Sequence, residues 1–212
     1  MPFASRHDAG QKLGRHLLNE GVEVDVVVGL PRGGVVVAAE VSHVLQRPLE
    51  VLVVRKIGHP LHREFAVGAM AEGDVVLLDE DSIGSDTLIR MRLTEVIKEE
   101  KERLRKYQLR FHPAGKFGFC DKAVLLVDDG LATGATMEAA ILSARRQGAK
   151  KVFVAVPVTS ANAIVRLESI ADEVFTMIMD PGFEAVGSHY VRFSQTTDEE
   201  VLELLRVEHA NH

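Results

Sequence analysis

The chain of 212 residues holds one cysteine, Cys120, no tryptophan and only two tyrosines. One thiol permits no internal disulfide, which makes a reducing compartment the default. No motif links Cys120 to a histidine, so it reads as a packing residue rather than a nucleophile. No apolar run is long enough to span a membrane. The opening Met1-Pro-Phe-Ala-Ser-Arg-His7 lacks the apolar core of a signal peptide, and a cytoplasmic location without membrane attachment is expected. The chain also has no basic block, and its net charge is −6, which argues against DNA as a partner. No Gly-x-Ser-x-Gly segment occurs, so a hydrolase built on that elbow is excluded. Internal repeats and low-complexity segments are absent too.

What is present alternates regularly. A helix is expected over residues 8–20, with Ala9, Leu13 and Leu17 on one face and Gly21 as its stop. Residues 22–30 read as a buried, Val-rich strand that runs into Gly29-Leu30-Pro31-Arg32-Gly33-Gly34. A helix over 35–46 and a strand over 49–54 complete a β-α-β unit, which makes those strands parallel. The second strand leads into Arg55-Lys56-Ile57-Gly58-His59-Pro60. Residues 61–81 suggest a hairpin turning at 71–73. A charged helix follows over 85–110, and its mixed-sign run Lys98–Lys106 reads as a solvated face. Strands at 122–127, 151–158 and 173–179 alternate with helices at about 136–147 and 161–170. The segment 183–195 is irregular and, for a chain with 5% aromatics, rich in rings: Phe183, Tyr190 and Phe193. Thr197-Asp-Glu-Glu200 is a capping box opening a last helix. The expectation is one α/β domain over 1–212: an open parallel sheet of about five strands flanked by helices. Its core covers about 22–180. The termini, 1–21 and 181–212, and the hairpin loop form a small cap. His59 and His62 lack a third ligand at a convincing spacing and read as solvated.

The most informative stretch is Val124-Leu-Leu-Val-Asp128-Asp129-Gly130-Leu131-Ala132-Thr133-Gly134-Ala135-Thr136. An apolar strand ends in two carboxylates, followed by a Gly- and Thr-rich turn at the start of a helix. Backbone N–H groups in such a turn converge on an anion, and the helix terminus adds partial positive charge. Thr133 and Thr136 supply hydroxyl donors. Asp128 and Asp129 repel a phosphate but suit sugar hydroxyls or a divalent cation. The plain alternative is a buried strand with an ordinary capped turn. Against it stands the position of the other polar loops, 30–34 and 55–60. Ligands of open parallel sheets bind at the carboxyl ends of the strands, and all three loops follow such ends.

These motifs resemble those of the type I phosphoribosyltransferases. Val127-Asp-Asp-Gly-Leu-Ala-Thr-Gly-Ala-Thr136 is similar to that family's signature for 5-phosphoribosyl-1-diphosphate (PRPP), and Leu30–Gly34 sits where the family has its diphosphate loop. Arg55-Lys56-Ile-Gly58 resembles the Arg-Lys segment of adenine phosphoribosyltransferases. The hairpin falls where the family carries a mobile catalytic loop. The tail, Phe183–Tyr190 and Phe193–Val201, resembles a bacterial group of phosphoribosyltransferases with no known acceptor. The resemblance implies roles. Asp128 and Asp129 would hold the ribose hydroxyls and, directly or through water, Mg²⁺. Leu131, Ala132, Thr133, Gly134, Ala135 and Thr136 would bind the 5′-phosphate. Pro31, Arg32, Gly33 and Gly34 would bind diphosphate, with a cis peptide common there. Arg55 and Lys56 would stabilise the leaving diphosphate, with Glu64 as the one candidate acid or base on the mobile loop. The partners are then PRPP with Mg²⁺ and a small nitrogen acceptor, in a homodimer.

The rival reading is a PRPP-sensing regulator without catalysis; the lack of a helix-turn-helix extension or basic face disfavours a DNA-binding one. A PRPP-synthesising relative is disfavoured by the lack of a further ATP-binding segment. The position that carries a third acid in 6-oxopurine salvage enzymes is Ala132 here, so hypoxanthine and guanine are disfavoured acceptors. The pattern is closer to that of adenine and orotate enzymes.

Overall fold

The computed structural model describes residues 2–112 and 118–211. The chain opens with helix α1 (Arg6–Asn19), whose first turn is capped by the Ser5 hydroxyl accepting from the Asp8 N–H. Strand β1 (Val26–Gly29) leads to α2 (Gly33–Leu45) and β2 (Leu49–Val51). Three short strands follow: β3 (Val54–Gly58), β4 (Ala66–Ala71) and β5 (Val75–Leu78). A single turn, α3 (Glu80–Ile83), precedes the long α4 (Thr87–Phe111). The rest alternates: β6 (Ala123–Val127), α5 (Ala135–Arg146), β7 (Lys151–Ser160), α6 (Ala161–Glu168) and β8 (Glu173–Asp180). A 3₁₀ turn at Val186–His189 and helix α7 (Asp198–Asn211) end the chain.

The main sheet has five strands in the order β2-β1-β6-β7-β8, and every pairing is parallel. Its central strands are apolar on both faces because both faces are covered. Val27, Leu125 and Val127 face a layer with Leu13 and Leu17 of α1 and Val37 and Val41 of α2. Val28, Leu126 and Val154 face Met137, Ile141 and Ala144 of α5. The capping box forms as expected: the Glu200 N–H donates to Thr197 Oγ1 at 3.1 Å, and the Thr197 N–H donates to Glu200 Oε2 at 2.6 Å. Among the described residues, no helix is long and apolar enough to cross a membrane.

The strand expected over 49–54 instead divides. The Leu52 N–H still bonds Gly29 O at 3.2 Å, but the Val53 N–H donates to the carboxylate of Glu72 at 2.8 Å. Glu72 is buried and also lies 2.8 Å from His112 Nε2, while its carbonyl accepts from Ser143 Oγ at 2.6 Å. This junction turns the chain out of the main sheet. β3 then pairs antiparallel with β4, so the expected hairpin is a three-stranded sheet, β3-β4-β5. Arg55 and Lys56 lie in a strand rather than in a loop.

The small sheet packs on α4 and α5. At the termini, Phe3 bridges to Tyr190, and α7 packs on α2 and β2. Residues 111–121, with Pro113, Gly115 and Gly118, read as a loop from sequence, and 113–117 of them lie outside the described residues. Cys120 is exposed rather than packed, and its thiol is pushed up by the neighbouring Asp121 carboxylate. That disfavours the thiolate a nucleophile needs.

Candidate active site

Because β1 and β6 are neighbours, the loops after them lie side by side above the sheet. They enclose a cleft of about 390 Å³. Its walls are Leu30 and Pro31 from the first loop, residues 128–134 and Thr136 from the second, Val54, Arg55 and Lys56 from β3, and Val186 from the 3₁₀ turn. The two loops also touch. A Cβ on Gly33 would run into Asp129 Oδ2, and one on Gly34 would lie 2.7 Å from Asp128 Oδ1. Any side chain at either place collides with the acid pair. Glycine there is required for the contact between loops, beyond the access it gives a ligand to the backbone. The Pro31–Arg32 peptide is cis.

The two acids have different surroundings. Burial and the charge of Asp129 both push the Asp128 carboxyl well above the usual range, against the N–H of Asp129 and the charge of Lys56. The bond from the Asp129 N–H to Asp128 Oδ1 is 2.9 Å. Asp129 is tied to the terminal segments instead. Arg6 Nε donates to Asp129 Oδ2 at 2.7 Å, and the Tyr190 hydroxyl donates to its carbonyl at 2.6 Å. Arg6 also donates to Ser194 O at 2.6 Å and lies 3.8 Å above the ring of Phe193. Burial holds the Tyr190 phenol far above its ordinary value, so it keeps the proton it donates. Arg6 was not legible as a site residue, and Tyr190 only as one ring of the segment 183–195. They lie 123 and 61 residues from Asp129, too far for any local pattern to link them to it.

In the second loop, Leu131 is an anchor. Its N–H donates to Val158 O and its carbonyl accepts from the Ser160 N–H, both at 3.0 Å, with its side chain buried. That N–H is therefore committed, which corrects its expected role as a phosphate donor. The loop open to a ligand is Ala132–Thr136. Ser160 Oγ holds Ala132 O at 2.5 Å, and Arg166 Nη1 holds Thr133 O at 3.2 Å. Gly134 takes φ +75° and starts α5. The Ala135 N–H reaches Thr133 Oγ1 only weakly, at 3.4 Å. The turn is thus braced through its carbonyls, while its hydroxyls and remaining N–H groups stay at the helix N-terminus.

Of the expected cations, Lys56 and Arg55 line the cleft. The Arg55 guanidinium is held from behind by the buried Glu100 of α4, through Nε at 2.9 Å and Nη2 at 2.7 Å. Arg103 shares the same carboxylate at 2.7 Å. So the run read as a solvated face contains one inward acid with a specific task. It was visible in principle: Leu93, Val96, Glu100 and Leu104 share one helical stripe. Arg32 lies 3.7 Å from Asp198 of α7 and lines, with Pro31, Arg55 and Tyr107, a second cavity rather than the cleft itself. Glu64 lies in the exposed turn between β3 and β4, outside the cleft lining.

Among the described residues, no group of three or more His, Cys, Asp or Glu side chains is placed to hold a metal ion. Two carboxylates alone suit a magnesium ion that keeps waters and takes its other ligands from a phosphorylated substrate. Of the segment 183–195, only Val186 reaches the cleft.

The family model for the phosphoribosyl transferase domain matches residues 6–191. A provisionally named phosphoribosyl transferase of Mycobacterium tuberculosis is 40% identical over 204 residues, covering 96% of this chain and 46% of its own. The chain thus spans about half the length of that relative. The amidophosphoribosyltransferase of Escherichia coli is 26% identical over 155 residues, 72% of this chain and 24% of its own. The crystal structure of TT1426 from Thermus thermophilus superposes with a TM-score of 0.80 at 41% identity, covering 97% of this chain and 98% of that one.

Proposed function

Since the chain belongs to the phosphoribosyl transferase domain family, we propose that it binds Mg-PRPP and transfers the 5-phosphoribosyl group to a nitrogen nucleophile, releasing diphosphate. The observation that carries this reading is the meeting in one cleft of three chemically distinct groups: an acid pair, the anion-suited helix N-terminus that follows it, and the cations of a neighbouring strand. The Ala132–Thr136 turn takes the 5′-phosphate. Asp128 faces the ribose hydroxyls, with Asp129 beside it. The loop at 31–34 offers its backbone to the diphosphate, and Arg55 and Lys56 carry the complementary charge. Magnesium, held by the acid pair directly or through water, neutralises the leaving diphosphate when bound.

No enzyme nucleophile is needed for such a transfer. The rate comes from positioning and from charge aimed at the departing group. Glu100 supports this by fixing the Arg55 fork before the ligand arrives. The similarity to an amidophosphoribosyltransferase is consistent with nitrogen as the attacking atom.

A thermal-shift titration with PRPP, with and without Mg²⁺, tests the first half of the reading. A shift that needs both is expected, and no shift removes the reading. Diphosphate release on adding a nitrogen acceptor tests the second half. Binding without release under any acceptor would make the protein a PRPP sensor.

A further inference from the structure

The cleft is rich in charge on its diphosphate side and nearly bare on the other. Among the described residues, the segment 183–195 contributes one side chain to the lining, Val186. The rings beside it are occupied with each other. Phe183 stacks on His189 with centroids 5.2 Å apart, and Tyr190 packs on Phe193 at 5.1 Å. Phe193 is covered by Arg6, and the Tyr190 hydroxyl is spent on the Asp129 carbonyl. None of these rings lines the cleft.

The segment is also packed down. A Cβ on Gly130 would come within 2.8 Å of Val186 Cγ1, and one on Gly187 within 2.9 Å of the Phe193 ring. Swinging Tyr190 or Phe193 inward would break the contacts that hold Asp129, while Phe183 stays stacked on His189, which lies 3.3 Å from Asp180.

A planar base is ordinarily recognised by a stacking surface, worth about 1–3 kcal/mol per base, and by polar groups at its edge. The cleft lining holds no aromatic ring, and its polar side chains are the acids, cations and threonines already given to Mg-PRPP.

Resting on the Mg-PRPP reading above, we propose that the acceptor is a compact amine, ammonia or a small primary amine, rather than a purine or pyrimidine base. The nitrogen lone pair forms the bond to C1 of the ribose. The bond from C1 to the diphosphate oxygen breaks with its electron pair leaving on diphosphate. The nitrogen then gives one proton to water. No edge recognition is needed because the attacking molecule has no edge to read, and Val186 limits its size.

The test uses the full chain with PRPP and Mg²⁺, and measures diphosphate release above the no-acceptor rate. Ammonium chloride and methylamine are compared with adenine, guanine, hypoxanthine, uracil and orotate at equal concentrations. The amines are expected to exceed every base by roughly tenfold or more, with rates rising above neutral pH as free amine replaces ammonium. Val186→Ala should raise the rate with benzylamine relative to ammonia several-fold. A base that outruns ammonia overturns the proposal, as does an unchanged benzylamine ratio. So does absence of amine-dependent release while the Mg-PRPP thermal shift persists. Loss of that shift itself would instead sink the underlying binding assignment.

Discussion

The two sides of the cleft are built in opposite ways. On the side of the small sheet, Arg55 and Lys56 enter from a regular strand, and Arg55 is held by a buried acid on α4. On the side of the terminal segments, rings and one arginine bind each other and the back of Asp129, and offer the cavity a single methyl-bearing chain. One side is prepared to meet charge; the other mainly closes a space. The acid pair divides along the same line. Asp129 belongs to the closing side through Arg6 and Tyr190, and Asp128 is left with its carboxyl raised by burial and repulsion. Adjacent identical residues thus do different work.

The sharpest way to break this comparison is Asp128→Asn. Mg-PRPP affinity should fall by roughly a hundredfold or more, the loss of charge-assisted hydrogen bonds to the ligand. The empty, magnesium-free protein should become more stable. Asp128 binds its proton more readily folded than unfolded, so its ionisation costs stability. That cost is absent below the ordinary carboxylate pKa of about 3.9 and grows as pH rises through the raised folded value. The stabilising effect of the substitution should therefore be small near pH 4 and larger near pH 7, read as the difference in Tm. Equal stability at both pH values would show that Asp128 is not under that strain.

Arg6→Ala should act through the other side. It leaves the partly buried Asp129 carboxylate without its partner, a loss of about 2 kcal/mol after discounting for residual solvent, or several degrees in Tm. In an Asp129→Asn background the same change should cost less, because the ion pair is already lost and only the Ser194 and Phe193 contacts remain to be removed. Additive effects would contradict the clamp.

Smaller effects are expected from the charged side. Lys56→Ala should weaken Mg-PRPP binding by about tenfold, and added salt should narrow that difference. Glu100→Gln should lower affinity only several-fold, since Arg55 keeps its charge and loses its anchor. Glu64→Gln should leave binding and diphosphate release within about twofold, as an exposed residue away from the cleft. A large effect of Glu64→Gln would mean the β3–β4 turn closes onto the ligand, and would sharpen the comparison by giving the charged side a moving part.

Much of this architecture could be read from the chain because its signals are local. Val-rich strands, helix stops at Gly and the Thr197–Glu200 box each declare an element within a few residues. The acid pair and its loop were legible for the same reason, since strand, turn and helix start are contiguous. What escaped was long-range. The break after Val51 depends on Glu72, a turn residue whose carboxylate finds a strand N–H 19 positions away. Leu131 has the sequence position of a phosphate donor, but its N–H is committed to Val158. Gly33 and Gly34 signalled a turn, but the carboxylates they admit come from another loop. Glu100 was hidden among charges of both signs, although its place on the apolar stripe marked it out.

The central claim is that this cleft is a phosphoribosyl diphosphate site organised by its acid pair. Isothermal titration of PRPP with Mg²⁺ into the full chain and into the Asp128→Asn/Asp129→Asn double variant tests it most directly. The account predicts saturable, magnesium-dependent binding to the first and none measurable to the second. Equal affinity for both proteins would contradict it.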